Sequence, residues 1–294
     1  MRERPGAYLA IDIGGTKVAA AVVDAEGSVS ARRAIPTPRD TSAHDLFEAI
    51  VGLANSVRTA AAREVSACGV GCGGPMDDST VSPLNIPAWR RFPLRASLSD
   101  ALGLEVDVDN DAKAIALAEG WLGAARSRRN YLAMVVSTGI GGGVVLDGRL
   151  LDGRLGNAGH VGHVNVEPAG RTCPCGATGC LEAEASGTAI EAATGQPASE
   201  AGLDVRIRAG THVGRAVATV ANLLDLDLAV VGGSVALGFG SPFFDAARAE
   251  LEMRARLDFS TSCRIVPVGL GDEAPLVGAA AIAMRGAGAP WIRP

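Results

Sequence analysis

Lysine is almost missing from this chain of 294 residues: Lys17 and Lys113 are its whole complement, and the remaining basic charge is arginine. Net charge is −5, with no long run of either sign. That excludes the clustered basic face a nucleic-acid partner needs. Aromatic residues make up only 4%, so a core has to be built from alanine, valine, leucine and isoleucine. The apolar stretches stop short of the ~20 residues of a membrane span. Met1 to Gly6 lack an apolar leader segment. A cytoplasmic protein with no membrane partner is expected, and in a reducing cytosol the six cysteines are thiols or metal ligands rather than disulfides.

What is abundant is apolar residues, 48%, and glycine, 38 residues; together they predict a globular chain with many tight backbone turns. Residues 8–13 and 18–24 read as two strands joined by a glycine turn at 14–17. That is a hairpin, not the strand–loop–helix of a Walker site. Residues 42–63 place Leu46, Ile50, Leu53 and Val57 at helical spacing. A strand over 67–72, a proline-rich loop over 83–96, a short strand at 106–108 and a helix from Asp109 or Asn110 to about Leu122 follow. Residues 131–136 and 144–146 repeat the strand–glycine turn–strand pattern around Ser137 to Gly143. The segment 152–180 is irregular. Helices are expected at 183–193, 213–225, 242–256 and 275–284, and strands at 228–231 and 264–268. The recurrence of the hairpin about 125 residues on suggests an internal duplication, two α/β domains with a cleft between them.

Three glycine turns, 14–17, 137–143 and 232–234, lie at strand ends, where a backbone without Cβ atoms can approach a polyanion. Asp12 precedes the first turn and is placed to hold Mg²⁺ through water. Thr16 and Lys17 add a hydroxyl and a positive charge. Asp109 and Asp111 sit at a strand-to-helix junction. Either they are capping residues, or one orients an acceptor hydroxyl and takes its proton in phosphoryl transfer. His163 with Cys173, Cys175 and Cys180 has the make-up of a closed, tetrahedral zinc site; the alternative is three unrelated buried thiols. Such a loop would hold His160, Glu167 and Glu182 rigidly. His44 and His212 are expected at the surface, Cys68, Cys72 and Cys263 in the core, and Trp89 either in a sugar pocket or in packing.

These residues resemble the ROK family of sugar kinases and repressors. The resemblance runs over essentially the whole chain, through Asp12-Ile-Gly-Gly-Thr-Lys17, Gly71 to Asp77, Leu84-Asn-Ile-Pro87, Asn110-Asp-Ala112, Ser137 to Gly143, Gly159-x-x-Gly-His163, Cys173-x-Cys-Gly-x-x-Gly-Cys-Leu-Glu182 and Val231-Gly-Gly-Ser234. It implies an actin/hexokinase-like (ribonuclease H-like) two-domain ATPase fold with an interdomain cleft. The smaller domain would be residues 1–118 plus a C-terminal helix at 276–294, and the larger one 119–275, carrying the zinc loop at 156–182. It implies transfer of the ATP γ-phosphoryl group to the 6-hydroxyl of a hexose, with Asp111 as general base. Gly74, Asn85, Asn110, His160, His163 and Glu182 would contact sugar. Asp12, Gly14, Gly15, Thr16, Lys17, Thr138, Gly139, Gly232 and Gly233 would serve ATP and Mg²⁺, and His163, Cys173, Cys175 and Cys180 zinc. A homodimer or tetramer is implied too.

The chain departs from the usual pattern at three places. His160 stands where many family glucokinases have Glu, Lys113 where Asn or Gln is usual, and Gly73 where Pro is common. The Ala158-Gly-His-Val-Gly-His163 spelling looks more like the bacterial N-acetylmannosamine kinases, so N-acetylmannosamine and glucose are both expected acceptors. A repressor of this family carries a winged helix ahead of the first hairpin; with seven residues before Tyr8, a kinase is expected rather than a repressor. A catalytically silent sugar sensor would have no need of Asp12, Lys17 and Asp111.

Overall fold

The computed structural model describes residues 6–38, 41–61 and 63–288. The outer ends of the domain assignment, 1–5 and 289–294, lie outside them. Contacts divide the chain into two units, one comprising residues up to 127, 152–158 and 270 onward, the other 128–151 and 159–269.

The first unit is built on β1 (Ala7–Ile13), β2 (Lys17–Asp24), β3 (Val29–Pro36), β4 (Cys68–Cys72) and β5 (Val106–Asn110). They lie in the order β3-β2-β1-β4-β5. The first three form an antiparallel meander, and β4 and β5 run parallel to β1. β1 is buried on both faces, as its unbroken apolar run demands. Helix α1 (Ala43–Ala61) buries Leu46, Ile50, Leu53 and Val57, as its periodicity predicts. Two elements escape the sequence reading. β3 alternates poorly, with Arg32 and Arg33 exposed, and a register shift between Ala20 and Val22 breaks its pairing with β2. Helix α2 (Leu94–Leu102) occupies the end of the segment read as loop. Pro93 precedes its first turn, Leu94, Leu98 and Leu102 face the core, and Gly103 ends it in the left-handed region.

Helix α3 (Asp111–Trp121) follows β5 directly. Glu119, fully buried, accepts the Ala124 amide at 2.7 Å and the Leu270 amide at 3.1 Å, tying the exit of α3 to the chain that enters the last helix.

The second unit holds β6 (Tyr131–Val136), β7 (Ile140–Leu146), β8 (Arg149–Leu150), α4 (Leu181–Ala185), α5 (Gly187–Thr194), α6 (Leu203–Leu224), β9 (Leu228–Gly232), α7 (Ser234–Phe239), α8 (Ser241–Arg254) and β10 (Arg264–Pro267). Its sheet order, β10-β9-β6-β7-β8, repeats the first: an antiparallel meander, then two strands parallel to its first strand. Each unit has its own core, around Leu9, Ile11, Leu46 and Trp89 in one and Met134, Val213, Val231 and Phe243 in the other.

Here the glycine turn is shorter than expected. Gly141, Gly142 and Gly143 pair with Val135, Met134 and Ala133 inside the ladder, leaving 137–139 as the turn. At Gly142 the reason is close approach: a Cβ there would lie 2.9 Å from Val161 Cγ2 and 3.0 Å from the Ala133 carbonyl oxygen. The helical stretch at 183–193 is two helices, broken where Ser186 accepts the Ala189 amide and caps α5. Helix α6 begins ten residues before the expected start. His212, expected at the surface, is 5% exposed within it.

The last helix, α9 (Ala274–Gly286), returns to the first unit and packs on β1, β4 and α3.

Candidate active site

In the first unit, the carboxyl ends of β1, β4 and β5 lie side by side, with Asp12 opposite Gly71 and Gly71 opposite Asp109. Gly71 is flanked by two carboxylates' residues: a Cβ there would sit 3.7 Å from Asp12 Oδ1 and 3.6 Å from Asp111 Cα. The Asp12 carboxyl is pushed up to about 7, first by burial and then by the negative charge of Asp111; Lys17 and Arg32 pull it back.

The turn after β1 is braced from within. Gly14 donates to the Lys17 carbonyl at 3.0 Å, while Thr37 donates through Oγ1 to the Gly14 carbonyl at 2.7 Å and through its amide to the Thr16 carbonyl at 3.0 Å. Thr16 and Lys17 are exposed. A Cβ on Gly15 would stand 2.5 Å from the Asn85 Cβ. Only glycine therefore lets exposed Asn85 lie against the turn. Gly74, before Pro75, accepts the Leu84 amide at 3.3 Å, which fixes the start of that same loop.

The two carboxylates at the head of α3 separate in role. Asn110 is the N-cap, its Oδ1 accepting the Ala112 amide at 3.0 Å. Asp109 is 7% exposed and pairs with Lys113 at 2.8 Å and Arg285 at 3.2 Å, so its charge is spent internally. Asp111 stands half-buried in the first helical turn, at the positive end of the helix dipole. Trp89, offered as a pocket wall or a packing residue, is the latter. It is fully buried, donates from Nε1 to the Ala43 carbonyl at 3.2 Å and stacks on Phe92.

The second unit brings two glycine turns together. Ser137 Oγ lies 2.9 Å from Ser234 Oγ, and a Cβ on Gly233, whose φ is 95°, would fall 2.3 Å from the Val136 carbonyl oxygen. Gly232 pairs with Val135 at the end of the ladder. Thr138 is exposed, and its carbonyl takes the Thr188 amide at 3.1 Å. Against this turn, Glu182 Oε2 accepts the Ile140 amide at 2.6 Å, and Gly139 and Gly162 leave room for the carboxylate. Burial raises the Glu182 pKa, and the Ile140 bond opposes the rise.

His160 and His163 are both exposed, with ring centroids 6.2 Å apart. The His163, Cys173, Cys175 and Cys180 ligand atoms all lie within 4.8 Å of one another. His163 Nδ1 is 3.7 Å from Cys173 Sγ, and Cys175 Sγ is 3.8 Å from Cys180 Sγ. Tetrahedral zinc with Zn–S bonds of about 2.3 Å spaces its sulfurs by about 3.8 Å, so the four residues fit that ion. The turn that carries them closes through Cys173 donating to the Ala177 carbonyl at 2.7 Å. Glu167 faces away into an ion pair with Arg215 at 3.0 Å. Thr37, which shapes the first unit's site, carries no motif signal; it matters through Gly14 and Thr16, distant in sequence.

A model of the ROK family matches residues 8–285. The chain is 40% identical to the N-acetylmannosamine kinase of Citrobacter koseri over 250 residues, 79% of this chain and 84% of that protein. Among solved structures it resembles the ROK hexokinase from Thermus thermophilus, with a TM-score of 0.83, 35% identity and coverage of 96% of this chain and 99% of that one. It also resembles a ROK family glucokinase from Streptomyces griseus in complex with glucose and AMPPNP: TM-score 0.81, 31% identity, 95% of this chain and 100% of that one.

Proposed function

The chain belongs to the ROK family, with its actin/hexokinase-like α/β fold, and on that premise we propose that it is an ATP-dependent sugar kinase acting on the 6-hydroxyl of N-acetylmannosamine or a closely related hexose. The observation that carries this reading is the pair Asp12 and Asp111 on either side of Gly71, beside a braced glycine turn that holds Asn85 against it.

The roles follow from the chemistry of each group. Asp111 orients the acceptor hydroxyl and takes its proton as the oxygen bonds to the γ-phosphorus and ADP leaves. A loose transition state transfers that proton late, so an ionised, weakly basic aspartate serves. Asp12 would hold Mg²⁺, which would supply charge neutralisation for the phosphates. Gly14, Gly15, Thr16, Lys17, Thr138, Gly139, Gly232 and Gly233 serve ATP. Gly74, Asn85, Asn110, His160, His163 and Glu182 serve the sugar. His163, Cys173, Cys175 and Cys180 would hold a structural zinc that stiffens the 164–180 turn and fixes the His163 ring. Exposed His160, in place of a carboxylate, favours an acceptor whose C2 substituent is an acyl-amino group, consistent with what the Citrobacter relative is named for. The enzyme works in the cytoplasm as a homodimer or tetramer; among the described residues no helix is long and apolar enough to cross a membrane.

The test is ADP release from ATP with a panel of N-acetylmannosamine, mannose, glucose and glucosamine. N-acetylmannosamine is expected to give the highest kcat/KM, and Asp111→Asn to lower kcat by roughly 10²–10⁴-fold with the fold intact. Sugar binding without ADP release from any acceptor would establish a silent sensor instead.

A further inference from the structure

Lys113 is 1% exposed, in the first turn of α3, two residues beyond Asp111. A buried ammonium is tolerated only where its charge and all its N–H groups are met. Here three acceptors meet three donors: Asp109 Oδ1 at 2.8 Å, Asp152 Oδ1 at 3.0 Å and the Gly156 carbonyl at 3.1 Å. Arg285 of α9 closes on the other oxygens of the same two carboxylates, at 3.2 Å to Asp109 Oδ2 and in direct contact with Asp152 Oδ2. Two cations and two carboxylates thus form a closed, neutral ring inside the first unit.

The ring reaches the proposed base through one intermediate. Asp109 Oδ1, held by Lys113, also accepts the Asn110 amide at 2.8 Å. Asn110 in turn caps the helix on whose first residue Asp111 stands. On its other side the ring holds 152–158, a segment that Asn157 also ties to the backbone of Met76, donating at 2.9 Å and accepting at 3.4 Å. That segment runs straight into Gly159 and His160.

We propose that Lys113 is a positioning residue for phosphoryl transfer: through Asp109 it fixes the Asp109–Asn110 peptide, and with it the Asn110 cap that precedes Asp111, and through Asp152 and Gly156 it fixes the chain leading to His160. The inference rests on the kinase reading of Asp111. A lysine kept for stability alone is a poor explanation, because a buried ion network adds little stability over well-packed apolar groups.

The test compares Lys113→Met and Lys113→Arg with the wild type, each well below its melting temperature, in ADP-release kinetics and amide hydrogen exchange. Lys113→Met is expected to lower kcat about tenfold or more, as small displacements of a reacting group do. Its KM for ATP should stay within about twofold, exchange should quicken at both 109–113 and 152–158, and Lys113→Arg should recover part of kcat. A folded Lys113→Met with kcat within about twofold of wild type overturns the inference, and so does unchanged exchange at 109–113. Should Lys113→Met fail to fold, Asp152→Asn, at the more exposed side of the ring, carries the same test and the same outcomes. A wild type inactive with every sugar defeats the kinase reading and this inference together; an active wild type with an unmoved variant defeats this inference alone.

Discussion

At the scale of single residues, Asp12 is where burial and function oppose each other. Its carboxyl is raised from 3.8 to about 7, burial being the larger cause and the nearby Asp111 charge the second. In the unfolded chain an aspartate ionises near pH 4. From there to pH 7 the unfolded state has lost a proton that the folded state keeps, so rising pH favours unfolding. The extra stability is complete below pH 4 and gone above 7, a span of about 4 kcal/mol at most. Asp12→Asn should therefore flatten the decline and be more stable than wild type at pH 8 in Mg²⁺-free urea denaturation; parallel profiles for the two proteins would count against a raised Asp12. Asp107 and Glu182 are raised as well, which is why the difference between the two profiles is the informative quantity. Its position before Gly14 is what makes Asp12 the expected Mg²⁺ residue. Asp111 is expected as the base from its place at the strand-to-helix junction, but its approach to Asp12 across Gly71 of β4 is set by the register of three strands distant in sequence. Likewise His212 reads as a surface histidine and is core, since the flanking Arg206 and Arg208 mask the apolar face of α6.

At the scale of elements, the placement of α9 depends on glycine rather than on apolar side chains. A Cβ on Gly278 would stand 2.1 Å from the Ala114 carbonyl oxygen of α3, and one on Gly69 of β4 1.8 Å from the Ala279 carbonyl oxygen. Both obstacles are backbone and cannot rotate aside. Helix propensity alone would make Gly278→Ala stabilising by up to about 1 kcal/mol. The clash reverses the sign, and a loss of roughly 1–3 kcal/mol or more is expected, read as a lowered urea midpoint at constant m; a raised midpoint would mean that α9 does not approach α3 this closely. Periodicity disclosed α1 and the Ala-rich α9, and unbroken apolar runs disclosed β1, β6 and β9, because burial of these elements is regular. It failed for β3, whose arginines face outward at a sheet edge, and for α2, whose three leucines follow three prolines and read as loop. The Gly141–Gly143 run failed in the opposite sense, reading as a turn when its glycines pair within a strand and Gly142 is packed closely there.

At the scale of the whole chain, each unit carries a sheet of the same order and a separate core, so each can be perturbed by itself. The four candidate zinc residues, His163, Cys173, Cys175 and Cys180, all belong to the second unit. The turn that holds them has almost no apolar support of its own beyond Cys173, Cys180 and Ala183. Its order has to come from its hydrogen bonds and, on the proposed reading, from the zinc ion that its three thiols and imidazole would hold. About one zinc per chain is expected by elemental analysis. Its removal by a strong chelator should quicken amide exchange over 164–180, while β1, β4 and β5 of the first unit keep their protection. Sugar phosphorylation should fall as well, because His163 loses the bond that fixes its ring and Glu182 lies two residues past the last thiol. Protein that is metal-free yet equally protected over 164–180 would show that the hydrogen bonds suffice. The cysteines would then be packing thiols, the reading their spacing alone leaves open.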